Sequence, residues 1–182
     1  MNNNIARPLF KIPLKYGAVA AVLSIAVLLL FYYMARHPLL IPPYMDSRIL
    51  IFLIFTYFAI REYKENYNGG ILHFWEGMIL GMVLYLFVGL MGSLFIYTFS
   101  RLDQGFITLY IDQATGAVEL AKEQLINGPQ GVRMSEEEFV RHLASLKETT
   151  APILAVDYFI KTCIVGFFIP LIYSVIFRRT GR

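Results

Sequence analysis

Four stretches of the chain are nearly free of charge, and polar segments separate them. The first, GAVAAVLSIAVLLLFYYMA at 17–35, follows Arg7, Lys11 and Lys15. As a helix it is long enough for a hydrocarbon layer of about 30 Å. A cleavable signal has an apolar region of about 7 to 15 residues ending at a small-residue site. No such site follows Leu30, so the pattern predicts a retained helix over about 16–35 that stops before Pro38. The second block, Ile49 to Ile60, makes only about 18 Å of helix. It reaches membrane length over about 46–66 if Asp46 caps the helix after Pro42 and Pro43 and if Arg48 and Arg61 snorkel to opposite interfaces. Tyr57, Tyr63 and Tyr67 then fall in an inner aromatic belt. Asn68, Gly69 and Gly70 signal a turn, and a third helix is expected over 71–99. Its length of about 43 Å exceeds the hydrocarbon even at a tilt of about 20°, so the end carrying His73, Trp75 and Glu76 should protrude. The fourth block spans about 152–177, cleanly apolar from Thr162 to Phe177, and ends in Arg178, Arg179 and Arg182.

Between the third and fourth blocks the pattern becomes amphipathic. Phe106, Leu109, Tyr110, Ala117, Leu120, Ala121 and Leu125 fall roughly on one helical face, weakened by Gly116. NGPQG at 127–131 interrupts it. Ser135 and Glu138 have the spacing of a capping box opening a second helix to about Lys147, with Phe139, Leu143 and Leu146 apolar. The expected architecture is an all-α integral membrane protein of four transmembrane helices, with a helical insert between helices three and four. Residues 1–100 hold the N-terminal arm and three helices, 101–150 the insert, and 151–182 the last helix and a basic tail.

Composition agrees: 57% of residues are hydrophobic and 16% charged, against about 25% charged in soluble domains. The net charge of +3 does not point to nucleic acid, because the basic residues gather beside the apolar blocks. Arg7, Lys11, Lys15, Arg61, Lys64, Arg178, Arg179 and Arg182 fall on one face of the expected topology, and only Arg36 and Arg48 in the short loop opposite. The positive-inside bias therefore predicts both termini in the cytoplasm and residues 101–150 outside the cytoplasmic (inner) membrane. Cys163 stands alone, which excludes an intramolecular disulfide and a cysteine zinc cage.

Few residues invite chemistry. His73 and Glu76 share a helix face and could relay a proton or hold a metal, yet Glu76 beside a helix N-terminus also suits an interfacial residue paired with Arg61 or Lys64. Asp157 and Lys161, four apart, are either a local pair whose lysine snorkels to the outer edge or, if they face the bundle interior, an ion or substrate path. Gly77 and Gly81 form G-x-x-x-G, continued by Gly89 and Gly92, which predicts close packing inside the bundle ahead of homodimerisation. Pro170 withholds a donor from the carbonyl of Gly166 and should kink the fourth helix. No phosphate loop, H-E-x-x-H or C-x-x-C occurs. His37, His73 and His142 are too dispersed for a shared site, and Glu136 to Glu138 lack the ligand pattern of a calcium loop. No catalytic residue, cofactor or metal is expected. No internal repeat or inverted duplication of the transporter type is present.

FKIPLKYG at 10–17, YNGGILHFWEGMILG at 67–81 and the spacing of the four blocks resemble a bacterial membrane-protein family, domain of unknown function 4199, common in Bacteroidota. The resemblance implies a four-helix inner-membrane protein and carries no activity with it. Two functions stay open. One is a non-enzymatic accessory subunit in the lipid bilayer, binding another membrane protein or itself. The alternative is a small oligomeric transporter or ion-conducting protein using Glu76, Asp157 or Lys161, with a membrane enzyme a distant third.

Overall fold

The computed structural model describes residues 3–42, 45–127 and 134–179. Expectations that involve Pro43, the side chain of Arg7, residues 128–131 of the interruption and Arg182 lie outside the described residues. The elements are α1 (Asn3–Tyr33), α2 (Arg48–Asn66), α3 (Phe74–Leu102), α4 (Gln104–Leu120), α5 (Lys122–Asn127), α6 (Glu136–Lys147) and α7 (Ala151–Ile176).

Three of these helices are long and apolar enough to cross a membrane: α1 over Pro8–Tyr33, α3 and α7. The sequence pattern predicts four. The difference is α2, whose 19 residues include Arg48 at one end and Arg61, Glu62, Lys64 and Glu65 at the other. α1 begins well ahead of its apolar block and contains Pro8 and Pro13. Packing sustains it there, because Leu9 and Ile12 are buried in one core with Tyr63 and Leu72. Its far end closes by a Schellman-type turn, Arg36 N–H to Phe31 O at 3.0 Å and Ala35 N–H to Tyr32 O at 2.9 Å. That turn puts Ala35 at φ 55°. α3 starts at Phe74, three residues later than expected, because Leu72 pairs with Arg179 as an isolated antiparallel bridge.

α3 is central and packs on α7, α1 and α2. α1 and α3 run one way, and α2 and α7 the other. At one end Lys15 meets Glu62 at 2.7 Å, Lys64 donates to Phe177 O at 3.2 Å, and Leu72 pairs with Arg179. At the other end Tyr32 donates to Asp103 at 2.6 Å, and Leu28, Ile96, Phe106 and Leu154 share a second core. The start of α1 and the end of α7 therefore lie at the same end of the bundle.

Helices α4 to α6 lie at the second end. Phe106 and Ala114 are the buried face of α4. Ala117 and Leu120, expected on that face, are exposed. The helix breaks at Ala121, and Ala121 and Leu125 beyond it are half-buried. α6 begins with the expected capping box: Glu138 N–H donates to Ser135 Oγ at 3.2 Å and Ser135 N–H to Glu138 Oε2 at 2.8 Å. Phe139 is buried under the Lys122 ammonium, and Leu143 and Leu146 are half-buried.

Candidate functional site

Glu76 lies in the first turn of α3, where the helix N-terminus favours a carboxylate. Its side chain is only 4% exposed. It does not pair with Arg61 or Lys64, as the sequence suggests. Arg61 bonds Glu65 one turn along α2 at 3.0 Å, and Lys64 is drawn to the end of α7. The partners of Glu76 are neutral or backbone groups. Tyr63 Oη donates to Oε1 at 3.0 Å, while Asn68 Nδ2 at 2.9 Å and His73 N–H at 2.8 Å donate to Oε2. His73 Nδ1 lies 3.2 Å from the same oxygen, so the expected pair forms. Tyr63 is thus buried instead of sitting in an aromatic belt. The arrangement ties the end of α2, the 67–70 turn and the start of α3 together, and it leaves the carboxylate saturated.

A second charged layer lies deeper. The N-cap position of α2 is Ser47, without a side-chain bond, and Asp46 one residue earlier accepts from the Arg48 backbone N–H at 3.0 Å and also grips the Arg48 side chain. Asp46 Oδ1 accepts from Arg48 Nε at 2.7 Å, and Oδ2 from Nη2 at 2.6 Å. Nη2 also donates to Pro38 O at 3.0 Å. Arg48 is buried and does not snorkel to an interface. Its guanidinium lies 5.7 Å from the ring centroid of Tyr158, on α7. The loop between α1 and α2 therefore descends into the bundle and supplies the polar partners that a short α2 would otherwise lack.

His37, in that loop, is buried between the rings of Phe106 and Tyr110, at 4.5 and 5.0 Å between centroids. Burial, with Arg48 adding to it, pushes its pKa down to about 4. The neutral ring accepts from Leu39 N–H at Nδ1. Gln113 of α4 clamps the same loop, accepting from His37 N–H at 2.9 Å and donating to Ala35 O at 2.8 Å. Sequence reasoning missed Tyr63, Asn68, Gln113 and the Asp46–Arg48 pair. The one available signal was that twelve apolar residues are too few for α2, which announces polar groups at depth.

Asp157 and Lys161 pair at 2.6 Å. Their side chains are 35% and 58% exposed, so they face outward rather than into the bundle. Tyr158 lies against Gly92, and Phe159 and Thr162 against Gly89, which sets Lys161 level with about Leu90 in the uncharged part of α3.

The small residues make one seam. A Cβ on Gly77 would strike Ser174, one on Gly81 the ring of Pro170, one on Gly92 Tyr158, and one on Gly166 the side chain of Tyr85. Gly89 faces Phe159 and Thr162. α3 and α7 thus touch along most of their length, as internal packing requires. α7 continues as helix through Pro170. Among the described residues, no three His, Cys, Asp or Glu side chains group to hold a metal ion.

Three long apolar helices, each able by length and composition to cross a membrane, pack with α2 into an all-helical bundle closed by a glycine seam. The chain belongs to the family described as "Protein of unknown function (DUF4199)", whose model matches residues 15–179. No curated protein and no solved structure matches it.

Proposed function

We propose that the protein is a four-span, non-enzymatic protein of the cytoplasmic (inner) membrane, an accessory subunit that binds a partner through its helices or its 101–150 segment. The observation that carries this reading is the occupation of every ionisable candidate by a structural bond beside a closed seam. Glu76 accepts from three donors, Arg48 is held by Asp46 and Pro38, and Lys161 pairs with Asp157. Close contact between α3 and α7 leaves no solute path along that seam.

Four spans are supported by the reach of α2, which touches both ends of its neighbours. Arg48 approaches Tyr158 near the start of α7, and Lys64 reaches Phe177 beyond its end. A helix flanked over that length by three crossing helices crosses with them. Lys15, Arg61, Lys64, Arg178 and Arg179 all belong to the end that holds the start of α1 and the end of α7, which supports cytoplasmic termini.

Native mass spectrometry after gentle extraction tests the function. A stoichiometric second protein chain, or a stable homo-oligomer without transported solute, is expected. A lone chain that moves a solute across vesicles would overturn the reading in favour of transport. The outward exposure of Asp157 and Lys161 is the observation on the transporter's side. In that case Glu76→Gln and Lys161→Met should abolish flux without lowering the amount of folded protein.

A further inference from the structure

The pair Asp157–Lys161 is charged and partly exposed on the outer side of α7, six and ten residues in from Ala151, the first residue of the apolar helix that carries it. Leu90, at its level, lies about 21 Å along α3 from Glu76 and about 16 Å from Arg101. Lysine side chains in helices tilt toward the N-terminus, which brings the ammonium to the height of Asp157 and no further. Ionisable groups within a membrane normally face protein or water rather than lipid. This pair faces away from the bundle, so something else must cover it.

The surrounding face is patterned. Ile153, Ile160, Ile164 and Phe168 are each more than half exposed, and with Asp157 they recur every three or four residues along one stripe of α7. Such a repeat is the seam along which two parallel helices pack, and a polar residue within it sets register. The charges are self-complementary as well. In a two-fold pair, Lys161 of each chain can reach the partner's Asp157 while keeping its own, so four charges close into a neutral set hidden from lipid.

We propose that a second copy of this chain covers this face, forming a two-fold dimer through parallel α7 helices with Asp157 and Lys161 exchanged across the axis. All copies share one topology, so only a two-fold axis along the membrane normal brings identical faces together. The inference rests on the partner-binding function proposed above and names the partner.

The first test uses the whole chain in its native membrane. In a Cys163→Ser background, Ile164→Cys should give a disulfide-linked dimer on mild oxidation. Leu90→Cys, similarly exposed and within one helical turn of the same depth but on α3, should not. No crosslink at Ile164, or equal crosslinking at both positions, overturns the dimer.

The second test separates exchanged from internal pairing, with Ile164→Cys as the reporter. Asp157→Lys and Lys161→Asp should each lower the crosslinked fraction by about tenfold or more, the change that about 1.4 kcal/mol produces. Co-expressing the two variants should restore it, because a chain with lysine at both positions then faces one with aspartate at both. Failure of co-expression, with the double swap D157K/K161D restored, shows pairing within one chain and overturns the exchange.

A complex with a different protein and no Ile164 crosslink would overturn the dimer while leaving the partner-binding function intact. A crosslinked dimer that transports a solute would do the reverse.

Discussion

Glu76 collects its hydrogen bonds unevenly: three approach Oε2, and only the Tyr63 hydroxyl approaches Oε1. Glu76→Gln can keep its carbonyl on the crowded side and turn its amide toward Tyr63, whose hydroxyl can accept. The expected loss is about 1–2 kcal/mol, whereas Glu76→Ala strands buried donors and should lose about 3 kcal/mol or more. Thermal melting in detergent distinguishes the two, and near-equal melting points would mean that Glu76 is not structural. Spacing made the His73–Glu76 and Asp157–Lys161 pairs legible, since helical geometry brings such neighbours together. The remaining partners of Glu76 were not legible: Arg61 has Glu65 on its own helix, and the approach of Asn68 depends on how the turn closes.

His37 gives a pH dependence whose sign follows from its lowered pKa. The folded state resists a proton that the unfolded chain accepts below its ordinary value near 6.5, so stability is full above that pH and falls toward pH 4. The loss is at most about 3 kcal/mol, at about 1.4 kcal/mol per pH unit. Protonation would also cost the Leu39 N–H its acceptor at Nδ1. Because Gln113 and Tyr110 hold His37 to α4, acid should first loosen the packing of α4 on the loop. Hydrogen exchange in α4 should rise between pH 6.5 and 4, and His37→Gln should flatten the rise; an unchanged profile in that variant would remove His37 as the cause.

At the scale of elements, the α3–α7 seam shows what glycine contributes. Gly166 lies against Tyr85, and a methyl group there meets the root of a buried side chain rather than its flexible end. Gly166→Ala should therefore lower stability by about 1–3 kcal/mol, as overpacking does. Gly116 has open space around it, and its replacement by alanine should stabilise α4 slightly by helix propensity. Melting curves of the two variants should move in opposite directions; similar shifts would mean that the seam tolerates a separation the structure does not show. The glycine spacing identified α3 as a packing helix, but α7 as its partner is a matter of folding. α2 shows the opposite limit. Its apolar count is correct for a short helix, but snorkelling was the wrong remedy, because the preceding loop bends inward and gives Arg48 an internal carboxylate.

For the whole molecule, four spans require that Tyr67 and Gly128 lie on opposite sides of the membrane, the latter outside the described residues. Reporter fusions there should give opposite signals. Same-side signals would mean that α3 does not cross; fusions at Met34 and Tyr67, which flank α2, should likewise give opposite signals, and same-side signals there would make α2 and the loop before it a re-entrant element.

Apolar length, the positions of turns and the bias of basic residues are properties of local composition, and a membrane acts on each segment nearly independently. The sequence therefore carried the helical class, the approximate segments and the expected orientation. Which side chains meet is settled by long-range packing that spacing cannot encode. The descent of the 34–47 loop, the satisfaction of Glu76 by Tyr63 and Asn68, the closure of α3 on α7 and the outward face of Asp157 and Lys161 all depend on how the helices rotate about their axes. That rotation follows from contacts between residues far apart in the chain.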